Sequence, residues 1–407
     1  MLIVSQIRSW WIAGLCVAVL GAIGCGEKYT GPWDLGSLYK VPQVEWVDSA
    51  GPIRGLYYAG EPYGGKATRV FAYYAKPLKV SGKAPAMVLV HGGGGKAFKE
   101  WTELWAKRGY AAIAMDLAGR DPDGNRLPDG GPDQTVKEKF NDVSRGLREA
   151  WPYHAVANVI RAHSLLRSFP EVDPDRIGIT GISWGGYLTC IVAGLDDRFK
   201  AAVPVYACGF LYEDSMWIRI LDRLSSSDRR LWIDNYDPSP DLPDCRMPIL
   251  FVNGTNDKAF PLNIYQKSYR LIRSPRTLCV TVGMLHSHQH GWAPKEIGIS
   301  IDSVLRKGEP LARFKKVLPK GQEVVTGFEA AVTVKEAALH YTTDSGLWQE
   351  RKWHTAPAAV DGDRIYAKLP ADKGIVYFLT VTDERGAVVS TEHEELLAEN
   401  KEKRALK

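Results

Sequence analysis

Cysteine is scarce in this chain, which has 6 among 407 residues, and no two of them form a CxxC pair. A domain of this size buries enough hydrophobic core to be stable without disulfide bonds, so the sequence excludes a disulfide framework. The missing CxxC pairs also speak against a structural zinc site. The cysteines beyond residue 25 are therefore predicted to be buried thiols, although an oxidising compartment would allow one bridge. These residues are Cys190, Cys208, Cys245 and Cys279.

The chain also has no large excess of charge of either sign. The chain has 52 basic and 47 acidic residues without a long basic block, and this balance speaks against a nucleic-acid partner. Its 45% hydrophobic and 24% charged residues are close to the values of ordinary globular proteins. The composition thus excludes a disordered chain and a polytopic membrane protein, and the length allows about two or three domains.

An apolar run near the N-terminus, residues 10–23, follows Arg8. The run is short for a transmembrane helix and has the charge and apolar centre of an export signal. Small residues then lead to Cys25, so residues 1–25 are predicted to be a signal peptide or a lipoprotein signal, with Cys25 as the candidate for lipidation. The alternative is an anchor helix that stays attached. Export would place the protein in the periplasm, on the outer membrane through a lipid anchor, or outside the cell.

Continuous apolar runs alternate with helical patterns between residues 33 and 310. Runs such as 86–90 and 111–115 are apolar throughout, and helical patterns such as 153–168 separate runs of this kind. Strands of this type joined by helices are typical of a mostly parallel sheet that is covered on both faces. The sequence therefore predicts an α/β domain over residues 33–310.

Two long segments interrupt this alternation. Residues 116–142 are rich in Gly, Pro and Asp, and residues 209–244 are aromatic and charged. Each segment follows a predicted strand at its carboxyl end, where an α/β sheet builds its ligand site. We expect both segments to form walls of a substrate cleft.

The hydrophobic pattern of the sequence changes towards the C-terminus. Short alternating segments such as 330–334 and 375–381 are separated by turn residues, which is the signature of a small β-sandwich. Residues 320–392 are therefore predicted to form an accessory sandwich of immunoglobulin or fibronectin III type, and residues 393–407 a charged tail. The sandwich has no candidate catalytic group, and a recruiting role and a role in building the site both remain open.

The motif Gly181-Ile-Ser-Trp-Gly185 lies between a predicted strand and an apolar helix. A G-x-S-x-G motif in this context forms a tight turn that lifts the serine hydroxyl clear of the backbone at the start of the helix. The motif predicts Ser183 as a catalytic nucleophile.

A run of four glycines after His91 allows two interpretations. The glycines and Asp116 imitate a dinucleotide-binding fingerprint, which would make the protein an oxidoreductase. The same run fits an oxyanion loop, in which the N–H of Gly92 or Gly93 acts together with the N–H of Trp184. The position of His91 and the later serine motif favour the oxyanion loop, so no cofactor is expected.

A serine nucleophile needs a general base and an acid that orients the base. Asp257 follows the predicted strand at residues 248–252, and three alternating histidines follow the next strand. The chain order of serine, acid and base is the one that hydrolases of this type require. We favour His288 as the base because it lies in the middle of its loop, with His286 as the alternative and His290 as the least favoured. No carboxylate or cysteine completes a metal site with these histidines, so no metal is expected.

Taken together, the glycine run, the serine motif, the Asp257 loop and the histidine-rich turn resemble the acetylxylan esterase and prolyl-oligopeptidase-like branch of the α/β-hydrolases, which is similar to the dienelactone hydrolases. The resemblance covers residues 67–307. It implies the α/β-hydrolase fold and a serine hydrolase of esters, with an acylated small molecule or polysaccharide as substrate. Prolyl oligopeptidases carry a long propeller domain with no counterpart here, which leaves peptidase activity as the alternative. A non-catalytic surface-binding protein is the alternative from another class.

Overall fold

The computed structural model describes residues 30–47, 51–77, 81–315, 317–320, 322–371 and 374–396. The predicted signal at residues 1–25, with Cys25, lies outside the described residues, and so does most of the predicted tail. Within the described ranges, no helix combines the length and the apolar character needed to cross a membrane. The four predicted thiols are free and buried there, as expected.

A central sheet of strands β1 to β9 organises the described chain from its N-terminus to residue 281. The strands are β1 (Val44–Trp46), β2 (Ile53–Ala59), β3 (Arg69–Ala75), β4 (Ala84–Val90), β5 (Ala111–Met115), β6 (Val172–Ile182), β7 (Ala201–Val205), β8 (Ile249–Gly254) and β9 (Arg276–Thr281). Their order is β1-β2-β3-β5-β4-β6-β7-β8-β9. The pairs up to β3–β5 are antiparallel, and all later pairs are parallel. The prediction of a mostly parallel sheet is confirmed.

Helices cover this sheet. All seven residues of β4 are buried, and since successive side chains of a strand point to opposite faces, both faces must be covered. The helices are α1 (Leu35–Leu38), α2 (Lys99–Lys107), α3 (Val136–Phe140), α4 (Trp151–Ser168), α5 (Trp184–Leu195), α6 (Ile218–Leu221), α7 (Ser226–Tyr236), α8 (Leu262–Arg270), α9 (His288–Trp292) and α10 (Lys295–Leu305). Helix α2 packs on β3 and β5, whereas α4 and α5 pack on each other and on β6.

A smaller antiparallel β module follows. Its strands are β10 (Arg313–Phe314), β11 (Leu318–Lys320), β12 (Glu323–Glu329), β13 (Val334–Thr342), β14 (His354–Asp361), β15 (Arg364–Lys368), β16 (Ile375–Asp383), β17 (Val388–Ser390) and β18 (Glu394–Leu396). A separate apolar core, which includes Val324, Leu339 and Leu379, fills its interior. The predicted α/β fold with a small C-terminal β domain is confirmed. Within it, residues 330–333 of the strand expected at 330–334 form the turn between β12 and β13, Val334 begins β13, and β18 lies inside the predicted tail.

The β module is joined to the central sheet. Ser390 of β17 pairs with Leu278 of β9, and the Ser390 hydroxyl accepts the Val280 N–H at 3.1 Å. Phe378 and Val389 belong to the large hydrophobic core of the α/β domain. The two parts therefore share core and backbone pairing, so the module is not an appended domain on a free linker.

Candidate active site

Ser183 lies at a sharp turn between β6, which ends at Ile182, and α5, which begins at Trp184. Its backbone has φ 57 and ψ −119, a conformation that costs free energy for any residue with a side chain. Two contacts hold it: the Ser183 N–H donates to Val205 O at 2.8 Å, and Ser183 O accepts the Tyr187 N–H at 2.8 Å. This is the strained strand-to-helix geometry that the serine motif predicts.

The glycines of the motif are required by close packing of backbone on backbone. A Cβ at Gly185 would lie 2.0 Å from Val90 O, and one at Gly181 would lie 2.1 Å from Gly185 O. No side chain fits at either position. Substitution of either glycine would force the turn apart and displace Ser183.

Asp257 follows β8 and is buried, with 3% of its surface exposed. Its Oδ1 accepts the N–H groups of Ala259 at 2.8 Å and Phe260 at 2.9 Å. Its Oδ2 lies 2.6 Å from His286 Nδ1. The backbone bonds fix one carboxylate oxygen, so the other is aimed at the imidazole.

His286 is the histidine that the structure pairs with the acid. Its ring stacks on Tyr206 with centroids 4.5 Å apart, and the Tyr206 hydroxyl donates to Leu285 O at 2.7 Å. Tyr206 directly follows Val205, the residue that holds the Ser183 N–H. The stacking therefore ties the orientation of His286 to the serine turn, and 27% of its side chain stays exposed.

The structure pairs Asp257 with His286, the alternative base of the sequence prediction, and not with the favoured His288. His288 Nε2 accepts the Gly92 N–H at 3.0 Å, and its ring packs on Phe98 with centroids 4.8 Å apart. Burial, reinforced by His91 and His286, lowers the pKa of His288 to about 4, so its Nε2 lone pair is free to accept this bond at neutral pH. His288 begins α9, and this helical start turns its ring towards the glycine loop and away from Asp257. His290 is exposed and bonds to the Ser287 hydroxyl.

The glycine loop lies against the serine turn. A Cβ at Gly92 would lie 3.0 Å from Ser183 Cβ, and one at Gly93 would lie 2.9 Å from Trp184 Cδ1. Trp184 opens α5, where an N–H has no acceptor inside the helix. Because His288 engages the Gly92 N–H, Gly93 is the loop glycine whose N–H makes no hydrogen bond among the described residues. The glycine loop and the start of α5 are therefore in contact at the serine turn.

His91 holds the glycine loop in place through hydrogen bonds to the backbone. Its Nδ1 donates to Gly92 O at 2.7 Å, and its Nε2 accepts the Leu117 N–H at 2.9 Å. Complete burial lowers the pKa of His91 to about 4, which keeps the ring neutral and able to bond in both directions. The histidine before the glycines is therefore a support of the loop.

The dinucleotide interpretation does not fit this geometry. Helix α2 begins at Lys99, so the glycine run does not open a helix that could hold a pyrophosphate. Asp116 Oδ1 accepts the N–H groups of Ala118 at 2.9 Å and Arg120 at 2.8 Å. Asp116, which the dinucleotide interpretation assigns to ribose binding, is therefore bonded to the backbone of its own loop.

In the described part of the chain, no group of three or more His, Cys, Asp or Glu side chains is placed to hold an ion. The three alternating histidines have different partners: Asp257, the Gly92 N–H and the Ser287 hydroxyl.

Asn256 is a site residue that the sequence did not indicate. Its Nδ2 donates to Gln349 O at 3.2 Å and to Arg351 O at 2.8 Å. Both acceptors belong to the β module, which thereby contacts the residue next to Asp257. Because the partners are backbone carbonyls from a distant part of the chain, no sequence pattern could have revealed this contact.

The chain is similar to known esterases. A sequence profile of the acetyl xylan esterase family (AXE1) matches residues 50–226. The chain is 25% identical over 236 residues to the acetyl esterase Axe7A of Xylanibacter ruminicola, covering 52% of this chain and 51% of that protein. It is 25% identical over 212 residues to the uncharacterized peptidase YuxL of Bacillus subtilis, covering 47% of this chain and 29% of that protein. The chain spans about half of these relatives' length or less.

Two solved structures of acetyl xylan esterases share the fold. The structure from Paenibacillus sp. R4 has a TM-score of 0.52 at 20% identity, over 67% of this chain and 92% of that one. The structure from Thermoanaerobacterium sp. has a TM-score of 0.51 at 20% identity, over 67% of this chain and 96% of that one. At this identity the likeness establishes the fold alone.

Proposed function

We propose that this chain, which belongs to the α/β-hydrolase superfamily, is a serine esterase that uses Ser183 as nucleophile, His286 as general base and Asp257 as the orienting acid. The bond between His286 and Asp257, at 2.6 Å, carries the proposal. The pair is linked to the strained turn of Ser183 through Tyr206, which stacks on His286 and follows the residue that accepts the Ser183 N–H. Together they supply the three roles of a serine triad.

The triad works through the two nitrogens of His286. Asp257 Oδ2 accepts the Nδ1–H, which leaves Nε2 as the basic nitrogen that takes the Ser183 proton. The Ser183 oxygen then attacks the ester carbonyl. His286 returns the proton to the leaving alcohol, and water hydrolyses the acyl-enzyme in a second round of the same steps.

Charge on the carbonyl oxygen requires donors that are already in place. The N–H of Trp184 and the N–H of Gly93 are the donors we assign, both located at the contact between the serine turn and the glycine loop. The Gly92 N–H is bonded to His288 Nε2, so His288 is assigned as a positioning residue that anchors the loop.

The proposed substrates are short-chain esters of carbohydrates. The match to the acetyl xylan esterase family and the similarity to an acetyl esterase support this class.

An ester panel tests this substrate class. Hydrolysis of 4-nitrophenyl acetate, butyrate and octanoate is measured beside release of acetate from acetylated xylan and cleavage of a prolyl-peptide amide. Fastest turnover of acetate esters supports the proposal. Preference for octanoate overturns the carbohydrate class, and faster cleavage of the amide than of any acetate indicates a peptidase.

Export is proposed on the sequence of residues 1–25, with Cys25 as the site of lipidation. Mass spectrometry of the mature N-terminus from a bacterial expression host tests this. A diacylglyceryl-modified Cys25, absent in Cys25→Ala, supports a lipid anchor. An unmodified cleaved terminus supports simple secretion, and an intact N-terminus overturns export by cleavage.

A further inference from the structure

Lys139 is a buried cation close to the proposed nucleophile. Only 9% of its surface is exposed, and its ammonium lies 4.7 Å from the centroid of the Trp184 ring. Asp133, the carboxylate whose charge acts on Lys139, is bonded to Arg120 at 2.8 Å, and no carboxylate of the described residues lies within ion-pair distance of the Lys139 ammonium. Burying an ammonium without a carboxylate is unfavourable. Burial accordingly lowers the pKa of Lys139 to about 8.

Gln134, on the same segment, has a buried donor without a partner. Its Oε1 accepts the Gly94 N–H at 3.2 Å. Its Nε2 is buried and makes no hydrogen bond to any described residue. A buried amide nitrogen without an acceptor is costly and calls for an explanation.

These two groups surround the same structural element. The Trp184 indole lies under the Lys139 ammonium and also contacts the position of Gly93, while Gln134 binds the next glycine. Trp184 directly follows Ser183. Lys139 therefore contacts the residue after the proposed nucleophile, and Gln134 contacts the glycine loop that packs against the same residue.

Both groups are donors, and one is charged, so the missing partner must be an acceptor with negative charge. We propose that Lys139 and Gln134 form a subsite for a carboxylate carried by the ester substrate, in its acyl part or in its alcohol part. This inference rests on the proposed esterase function. An O-acylated uronic acid, whose carboxyl group stays free, has this chemistry.

The test measures a ratio of kcat/KM values. In the acyl arm, 4-nitrophenyl hydrogen succinate is compared with 4-nitrophenyl butyrate. In the alcohol arm, an O-acetylated methyl glucuronoside is compared with its uncharged methyl ester. We expect the wild type to favour the charged substrate by about 10-fold in one arm, the size of one charge-assisted hydrogen bond. The arm that shows the preference locates the carboxylate.

Lys139→Met keeps the length of the side chain and removes the charge, so the preference should fall by about 10-fold. Gln134→Glu keeps an acceptor for the Gly94 N–H and replaces the free donor by a negative oxygen, so it should also lose the preference. Lys137→Met is the matched control, since Lys137 lies on the same helix with 65% of its side chain exposed. We expect its ratio to equal that of the wild type.

Thermal unfolding of Lys139→Met shows whether a lower ratio results from a damaged fold. If the lysine is retained for binding, loss of the buried charge raises Tm, and the ratio still falls. A wild-type ratio near one in both arms, or an unchanged ratio in Lys139→Met, overturns the subsite and leaves the esterase assignment intact. A wild type that hydrolyses none of the four esters overturns the esterase assignment and the subsite together.

Discussion

His286 Nδ1 lies 2.6 Å from Asp257 Oδ2, whereas His288, two residues later, has turned to accept the Gly92 N–H. The two rings point in different directions because His288 begins α9, and a helical residue projects its side chain differently from the loop residues before it. One short motif thus supplies two neighbouring histidines with separate tasks. In the proposed mechanism the first is the general base, and the second anchors the glycine loop.

The two histidines should respond differently to substitution. His286→Ala removes the general base and should lower kcat by about 10⁴-fold or more, as loss of the nucleophile would. His288→Leu removes one hydrogen bond to the glycine loop and should lower kcat by about 10-fold with little change in KM. Steady-state kinetics with 4-nitrophenyl acetate provides both numbers.

A conservative variant separates anchoring from general damage. His288→Gln keeps an acceptor for the Gly92 N–H and should recover most of the activity that His288→Leu loses. If His288→Leu is as inactive as His286→Ala, the assignment of the base is wrong.

Asn256 is expected to position the acid loop through the β module. Asn256→Ala removes the bonds to Gln349 O and Arg351 O, and we expect kcat/KM to fall by about 10-fold because Asp257 is the next residue. Gln266→Ala is the control, since Gln266 Nε2 also bonds to the β module, at His393 O and 2.7 Å, from helix α8. Equal losses of activity in the two variants would show that Asn256 acts only through stability.

Buried histidines should make the protein sensitive to acid. Burial lowers the pKa of His91, His154 and His163 to about 4, below the ordinary value near 6.5. Between these values the unfolded chain binds a proton that the folded chain does not, so the free energy of unfolding falls as the pH falls from about 6.5 towards about 4. Each histidine contributes up to about 1.4 kcal/mol per pH unit. Above about pH 6.5 the contribution is fully present.

Asp116 acts in the opposite sense. Burial raises its pKa to about 6, so the folded chain binds a proton on Asp116 more tightly than the unfolded chain does. This offsets the stability that one of the histidines loses as the pH falls. Urea unfolding at about pH 7 and about pH 5 measures the net effect, and we expect lower stability at the acid value. His154→Gln should reduce the pH slope. Equal stability at both values would show that these histidines do not stay neutral in the fold.

Much of the fold and of the site follows from local sequence rules. The apolar run of β4 is buried throughout, as continuous hydrophobicity indicates for a central parallel strand. The serine turn follows from glycines that no other residue can replace. These features depend on residues close together in the chain, so their patterns could be read directly.

The remaining features depend on contacts between distant parts of the chain. The choice between His286 and His288 is set by where α9 begins, and alternating histidines give no sign of it. The strand predicted at residues 330–334 is a turn up to residue 333, because an apolar run of this length does not show where the chain reverses between β12 and β13. Lys139 has an ordinary charged sequence environment, and only its packing on Trp184 reveals that it is buried.

Covalent labelling of Ser183 is the most direct test of the proposed mechanism. The protein is treated with a fluorophosphonate, the adduct is located by peptide mass spectrometry, and hydrolysis of 4-nitrophenyl acetate is followed in parallel. We expect one adduct, on Ser183, with loss of activity in proportion to labelling, and neither adduct nor activity in a folded Ser183→Ala variant. Wild-type hydrolysis by Ser183→Ala, or inactivation through a label on another residue, would contradict the assignment of the nucleophile.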